Sequence, residues 1–272
     1  MKKRFVRNLP IADYHAREEI SHSGIVKLLK SPEHYMQYKI EGEEPTPAMV
    51  FGSAFHTKIL EPQLFADQYV LAQKFDKRTK EGKELASKWE EKNADKIPLT
   101  DDQFDSLFTM KERIFDHAGA AKILSSGEAE SSLFWTDEIT GLKCRIRPDW
   151  LFLPDGMADL KSCVSASKAD FAKAVANFGY DIEAAFYIDG MKAVTGKSVD
   201  FFFIAVEKTA PYTTACYKAS QEMIEVGRAK YRGGLELLAW CQKQKQYPGY
   251  QPNGEVETID LPRWAANFEL EA

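Results

Sequence analysis

The feature that most constrains this chain is a group of polar residues set among short apolar segments between positions 148 and 163. Pro148-Asp149 precedes Trp150-Leu151-Phe152, and Asp159-Leu160-Lys161 follows ten positions after Asp149. Because side chains alternate between the two faces of a strand, Asp159 and Lys161 are predicted to share a face. A carboxylate and an ammonium group are costly to bury in an apolar strand unless each has a partner. The pattern predicts that two carboxylates hold a divalent cation beside a lysine.

The same residues also have simpler interpretations. An Asp beside a Pro is commonly a turn residue, and Asp159 and Lys161 could form an ion pair at a sheet edge. Mg²⁺ prefers oxygen ligands, keeps several waters and needs few protein carboxylates. Asp149 and Asp159 fit that demand, and the backbone carbonyl of Leu160 offers a further ligand. With Lys161 orienting a water or stabilising charge on a phosphate, the implied chemistry is phosphodiester hydrolysis.

Composition sets the outer limits of the interpretation. The 272 residues are 44% hydrophobic and 28% charged, which is typical of a soluble globular protein. The length suits one large α/β domain or at most two small domains, and we expect one domain over residues 1–272. The net charge of −5 argues against a protein that coats DNA uniformly, but a locally basic cleft remains compatible with it. No apolar run approaches the ~18 residues that a membrane span needs. The four cysteines are dispersed, which predicts free thiols and a cytoplasmic location.

Apolar periodicity and capping residues predict the order of the elements. Helices are expected over 23–29, 31–38, 46–60, 100–124, 180–194 and 220–244. Strands are expected over 131–136, 142–146, 150–153, 157–163, 199–206 and 212–217. The charged segment 74–96 is typical of an exposed helix or a mobile excursion. This order predicts an α/β fold with a mixed central sheet flanked by helices and with an N-terminal helical layer.

Three further motifs could contribute to the site. Gly52 and His56 lie four residues apart on one face of a predicted helix, although a lone helical His is more often structural. Glu128 and Glu130 precede the first predicted strand and could add a carboxylate, or could simply be solvated. Glu183 and Tyr187 form an i, i+4 pair on the helix that follows the Asp-x-Lys strand.

In this order the motifs resemble those of the RecB-type branch of the PD-(D/E)xK nucleases, in which Gly-x-x-x-His, Asp, Asp-x-Lys and Gln-x-x-x-Tyr succeed one another. Here Glu183 stands where that family usually has Gln. The chain is more closely similar to the RecE-type exonucleases. The similarity extends over nearly the whole chain and is carried by Ile20-Ser21-His22-Ser23-Gly24, Lys30-Ser31-Pro32-Glu33-His34-Tyr35, Glu44-Pro45-Thr46-Pro47-Ala48, Phe134-Trp135-Thr136-Asp137, Ala185-Phe186-Tyr187-Ile188-Asp189-Gly190 and Leu261-Pro262-Arg263-Trp264.

The resemblance implies a restriction-endonuclease-like fold and a Mg²⁺-dependent 5′→3′ exonuclease, with Mn²⁺ able to substitute. Such an enzyme degrades one strand of linear double-stranded DNA and leaves 3′ single-stranded tails. The resemblance also implies a toroidal homo-oligomer, a tetramer by expectation, and a RecT-like single-strand annealing partner of the kind found in prophages.

The expected roles follow from the motifs and the resemblance together. His56, Asp149, Asp159 and the Leu160 carbonyl are expected to hold the metal, with Lys161 activating or positioning water. Glu130, Glu183 and Tyr187 are assigned a supporting place in the site. Contacts to a 5′ phosphate or the DNA backbone are expected of Ser21, Ser23 and Lys27 near an early helix N-terminus, with capping and solvation as the alternative. Phosphate contacts are considered for Lys74, Lys77, Arg78 and Lys80.

Two alternatives to an exonuclease stay open from the sequence. The first is a nicking or structure-specific endonuclease that uses the same metal site. The second is a DNA-binding recombination module without catalysis. A nucleotide-processing enzyme is disfavoured because the sequence has no glycine-rich phosphate loop of the P-loop or dinucleotide type.

Overall fold

The structure, a computed structural model, describes residues 3–262. Arg263 and Trp264, which contribute to the family resemblance, lie outside the described residues. The helices are α1 Ile11–His15, α2 His22–Lys30, α3 Pro32–Glu41, α4 Pro47–Leu60, α5 Pro62–Gln68, α6 Lys80–Lys92, α7 Asp101–Asp116, α8 Ala118–Leu124, α9 Lys168–Phe178, α10 Tyr180–Thr195 and α11 Gln221–Gln244. The strands are β1 Arg4–Val6, β2 Tyr69–Leu71, β3 Ile97–Leu99, β4 Glu128–Ala129, β5 Ser132–Thr136, β6 Lys143–Ile146, β7 Trp150–Phe152, β8 Gly156–Cys163, β9 Asp200–Glu207 and β10 Thr214–Lys218.

Side-chain caps explain where many of these helices begin. A Ser or Thr hydroxyl accepts a hydrogen bond from the backbone N–H three residues later, which satisfies an amide that the first turn leaves free. At the start of α7, Thr100 and Gln103 form a reciprocal capping box. The helices capped by a hydroxyl are α2, α3, α4, α6, α7, α9 and α11, with Ser21, Ser31, Thr46, Thr79, Thr100, Ser167 and Ser220 as the capping residues.

A five-stranded mixed sheet with the order β10-β9-β8-β7-β4 forms the centre of the fold. Strands β8 and β9 are parallel, whereas β7–β8 and β9–β10 are antiparallel. A three-stranded sheet, β1-β5-β6, and a parallel pair, β2-β3, lie apart from it. Helices flank the strands and predominate in the N-terminal part of the chain, so the predicted α/β class with a mixed central sheet is confirmed.

Two apolar clusters cover the two faces of the central sheet. Along β8, Met157 belongs to the cluster shared with α2, α10 and α11, whereas Ala158 and Leu160 belong to the cluster shared with α4 and α7. Because the strand alternates with period 2, Asp159 and Lys161 lie on the same face as Met157, toward α10. The expected common face of Asp159 and Lys161 therefore exists, and it is the face that α10 covers.

Several element boundaries differ from the sequence-based expectation. The helix expected over 100–124 is two helices, because His117 adopts an extended conformation and its side chain caps α8 by accepting from Ala120 N. Helices α1, α5 and α9 and the short strands β1, β2, β3 and β4 were not expected. Within residues 3–262, no helix is both long enough and apolar enough to cross a membrane.

Candidate metal centre and active site

The site forms where β7 and β8 stop pairing. Their ladder extends only from Phe152↔Gly156 to Trp150↔Ala158, so it ends two residues before Leu160. The Leu160 amide instead donates to Asp149 Oδ2 at 2.7 Å, and His56 Nε2 donates to the Leu160 carbonyl at 2.9 Å. A buried strand peptide is thus satisfied by two side chains rather than by a neighbouring strand. The Leu160 carbonyl, expected to be a metal ligand, points toward His56.

The carboxylate of Glu130, the residue directly after β4, lies close to His56 and Asp149. His56 Nδ1 lies 3.4 Å from Asp149 Oδ2. Ligand atoms of His56, Glu130 and Asp149 all lie within 4.8 Å of one another, and among the described residues these three form the group able to hold a metal ion. Glu130 was expected only as a supporting residue. Asp159 is not part of this trio and is directed toward Lys161.

Glu130 is held in its position by an unusual backbone conformation and by a partly buried arginine. Its φ is +52°, a left-handed conformation that is uncommon for residues other than glycine. The Glu130 amide donates to the Asp149 carbonyl at 3.0 Å, and Arg147 Nε donates to Glu130 Oε2 at 2.6 Å. Arg147 also donates to the Leu9 carbonyl at 2.8 Å. Backbone strain of this kind persists where the surroundings enforce it, often at functional sites.

Lys161 lies among acidic and aromatic groups on the α10 side of the sheet. Its Nζ is 2.6 Å from Asp159 Oδ2 and donates to Glu183 Oε2 at 2.9 Å. The same ammonium lies 4.3 Å from the centre of the Tyr180 ring. The approach to Asp159 lacks hydrogen-bond geometry, so Asp159 Oδ2 is buried without a hydrogen-bond partner among the described residues. Lys161 is therefore held between two carboxylates, and its contact with Asp159 Oδ2 is an ion pair without a hydrogen bond.

Helix α10 brings Glu183 and Tyr187 to this face. Glu183 is 6% exposed, and its second oxygen, Oε1, lies 3.8 Å from His22 Nδ1. His22 Nε2 donates to the Gly179 carbonyl at 3.0 Å and so fixes the ring against the start of α10. Tyr187 is buried and packs edge-to-face on Phe201. The carboxylate at the position where the family usually has Gln therefore binds Lys161 on one side and faces His22 on the other.

The pKa shifts reflect an excess of negative charge in a buried place. Burial would lower the pKa of His56, but Asp149, Asp159 and Glu130 raise it to about 9. Burial and the Asp149 charge raise the pKa of Glu130 to about 7 against the opposing effect of Arg147. Burial and repulsion from Asp149 and Glu183 raise the pKa of Asp159 even though Lys161 is adjacent.

The pKa of Lys161 is also raised, because Asp159 and Glu183 outweigh the effect of its burial. Lys161 is consequently a cation at neutral pH and stabilises negative charge. A protonated Lys161 can position a water molecule or stabilise charge on a phosphate.

The residues present fit a hard divalent cation. Carboxylate and carbonyl oxygens are the ligands that Mg²⁺ prefers, and a cation would relieve the repulsion that raises the pKa of Asp159 and Glu130. The converging atoms of His56, Glu130 and Asp149 supply the donors, and Asp159 Oδ2, which makes no hydrogen bond among the described residues, can join them. The donor set contains oxygen and imidazole but no cysteine, which disfavours a structural zinc centre.

The residues expected to contact DNA lie at the start of α2 and in the charged segment 74–96. Ser21 caps α2 by accepting from Gly24 N at 3.4 Å, and Ser23 is exposed in the first turn. Lys27 pairs with Glu43 at 2.8 Å. In the charged segment, Lys77 pairs with Glu90 and Arg78 with Asp76. Contact of these residues with DNA remains a prediction. Helix α2 adjoins the site through His22, which faces Glu183.

Sequence reasoning missed Arg147, His22 and Tyr180 as parts of the site. Arg147 lies two residues before Asp149 in the sequence. A basic residue so near a carboxylate is only a weak indication that it belongs to the site. His22 and Tyr180 reach the site through helix packing that no local pattern shows.

The fold and this arrangement define a restriction-endonuclease-like domain of the PD-(D/E)xK class. The family model described as "PDDEXK-like domain of unknown function (DUF3799)" matches residues 21–262, and the chain belongs to this family. The crystal structure of a protein named as a putative exonuclease from Eubacterium rectale is similar over 97% of this chain and 100% of that one, with a TM-score of 0.64 and 16% identity. At that identity the similarity concerns the fold.

An alkaline exonuclease from Laribacter hongkongensis is similar over 49% of this chain and 71% of that one, with 17% identity and a TM-score of 0.26. No curated protein matches the sequence.

Proposed function

We propose that this protein is a Mg²⁺-dependent 5′→3′ exodeoxyribonuclease that degrades one strand of linear double-stranded DNA. The observation that carries the proposal is the convergence of His56, Glu130 and Asp149 beside the middle of β8, where Asp159 lies 2.6 Å from the Lys161 ammonium. Family membership over residues 21–262 supports a nuclease of the PD-(D/E)xK class.

Each residue has a definite task in this proposal. Asp149, Asp159, His56 and Glu130 bind the cation, and the Leu160 carbonyl can join them when His56 turns from it. A bound Mg²⁺ would lower the pKa of a water and stabilise charge on the phosphate. Lys161, held by Glu183 and positively charged, positions the attacking water and stabilises the developing negative charge.

The finer features of the proposal rest on the resemblance to RecE-type exonucleases. The products are 3′ single-stranded tails for annealing-type recombination, and a RecT-like annealing protein is the partner. The active form is a homo-oligomeric ring, proposed as a tetramer, in the cytoplasm. Mn²⁺ can replace Mg²⁺. Ser21, Ser23 and Lys27 contact the 5′ phosphate or the adjoining backbone.

Digestion of 5′-phosphorylated linear duplex DNA tests the activity directly. The duplex is labelled separately at each end and incubated with Mg²⁺, with Mn²⁺ and with EDTA, beside a covalently closed circle. We expect metal-dependent loss from the 5′ end while the circle stays intact. Cleavage of the circle would favour the endonuclease alternative, and DNA binding without cleavage in either metal would favour the non-catalytic module.

Substitutions separate catalysis from folding. Asp159→Ala and Asp149→Ala should abolish cleavage while leaving DNA binding measurable. Lys161→Ala should slow cleavage while metal binding persists. Asp67→Ala, at an exposed position in α5, is the matched control and should cleave like the wild type. Substantial cleavage by Asp159→Ala would refute the assignment of the site.

A further inference from the structure

An aromatic corner lies directly beside Lys161. Helix α9 ends at Phe178, Gly179 adopts the left-handed conformation with φ of +72°, and α10 begins at Tyr180. The two aromatic rings that flank Gly179 lie 5.7 Å apart and are tilted by 31°. Tyr180 is also the ring that the Lys161 ammonium approaches at 4.3 Å. The corner therefore links the candidate active site to the adjacent surface.

This surface is a groove of about 640 Å³. Phe178 is 60% exposed at its edge, and Val164, also in the wall, is 89% exposed. Met49, at the start of the helix that carries His56, also lines the groove. Large exposed apolar side chains gathered in one groove are characteristic of a binding surface.

The charges around the groove favour an anionic ligand with an apolar part. Lys208 lines the groove, and the Lys161 ammonium lies 4.3 Å from the ring of Tyr180, which is one of the lining residues. The one acidic residue in the wall, Asp170, is already paired with Lys173 at 2.9 Å. A nucleotide matches this arrangement, because its phosphate carries the charge and its base offers a flat apolar face. A phosphate held at Lys161 would place the attached nucleoside next to Tyr180.

We propose that the groove formed by Phe178, Tyr180 and Met49 is a stacking site for a nucleobase of the strand being cleaved, next to the phosphodiester at Lys161. This inference rests on the proposed nuclease function and names the part of the substrate that the groove binds. Stacking on an aromatic side chain is tolerant of sequence, since every base has a π face. The site would hold the reacting nucleotide in place without selecting a base.

The test measures the affinity of the full chain for 5′-phosphorylated duplex DNA by fluorescence anisotropy. Ca²⁺ replaces Mg²⁺, under conditions in which no product forms. Phe178→Ala should weaken binding by about 5- to 150-fold, the range that removing one base–aromatic stack gives. Phe178→Trp should restore it. Phe115→Ala, which removes an aromatic ring that is 43% exposed on α7, is the matched control and should bind like the wild type.

A base-free nucleotide identifies the partner of Phe178. An abasic residue is placed in turn at each of the first positions of the cleaved strand. At one position it should weaken wild-type binding by the same factor as Phe178→Ala and should have no further effect in that variant. Because Phe178 is largely exposed, its replacement should leave the circular dichroism spectrum unchanged, so a loss of affinity would not reflect unfolding.

The outcomes separate this inference from the proposed function. If the wild type cleaves linear DNA but Phe178→Ala binds DNA as tightly as Phe115→Ala, the stacking site is refuted and the nuclease stands. If the abasic and Phe178→Ala effects are coupled but no metal supports cleavage, the stacking site stands and the nuclease falls. A wild type that binds no DNA would refute both.

Discussion

The crossing of α10 and α11 offers a sharp test of how the site is supported. A Cβ added at Gly227, in the second turn of α11, would lie 1.9 Å from the Asp181 carbonyl oxygen and 2.4 Å from its carbonyl carbon. Both atoms belong to the backbone of α10, two residues before Glu183, so no flexible side chain can yield. Gly227→Ala should therefore push the two helices apart.

Gly233 is the matched control, because it lies in the same helix, is exposed, and has no atom within 4 Å of an added Cβ. Replacing a helical Gly by Ala stabilises by about 0.5–1 kcal/mol, and both variants gain this. Their difference isolates the steric term, for which overpacking gives about 1–3 kcal/mol or more. Gly233→Ala should be slightly more stable than the wild type, and Gly227→Ala clearly less stable.

Urea unfolding followed by circular dichroism measures the difference, and thermal unfolding supports it at about 2–4 °C of Tm for each kcal/mol. At temperatures where both variants are folded, Gly227→Ala should also cleave DNA more slowly, since Glu183 moves with α10. Equal stabilities for the two variants would refute the close backbone approach and the role assigned to it.

Three further predictions concern the charged groups. Glu183→Gln still offers Lys161 an acceptor, the amide oxygen of the new side chain, and should retain cleavage, whereas Glu183→Ala should lose most of it. The two variants are compared by their initial rates of cleavage on linear duplex DNA. Equal rates would contradict the supporting role assigned to Glu183. Arg147→Leu should leave the partly buried Glu130 without its partner, and we expect destabilisation of about 1–3 kcal/mol in urea, so an unchanged midpoint would contradict the Arg147–Glu130 pair. The pKa of His56 is raised to about 9 in the metal-free fold, so its stabilising effect is full below the unfolded value of 6.5 and is lost as pH rises through 9. In EDTA, the free energy of unfolding should fall over this range in the wild type and less steeply in His56→Gln; identical slopes would exclude the His56–Asp149 ion pair.

Local patterns predicted the elements that carry strong local signals. The caps at Ser31, Thr46, Thr100 and Ser220 mark helix starts that the structure confirms, and the alternation along β8 placed Asp159 and Lys161 on one face. These features depend on a few neighbouring residues, which is why a single sequence shows them.

Other features depend on distant partners. The break at His117 interrupts an apolar pattern that continues on both sides of it, so periodicity alone joined α7 to α8. Strand β1 exists because it pairs with β5, more than a hundred residues later. Ser167 and Gly179 did carry the cap signals of α9, and these were overlooked.

The candidate site was predictable in its carboxylates and lysine but not in its supports. Glu130 depends on a positive φ and on Arg147, and the His22 contact to Glu183 depends on the packing of α2 against α10. Such contacts arise only when the layers assemble.

The position of Leu160 between the core and the site affects how this protein would tolerate mutations. Its side chain is fully buried among α4 and α7, while its peptide is held by Asp149 and His56, and its two neighbours face α10. One residue thus transmits the packing of both helical layers to the reacting groups. Core substitutions in either layer that leave the protein folded should still misalign the site. The cleavage rate should therefore respond to changes in core packing more strongly than the free energy of unfolding does.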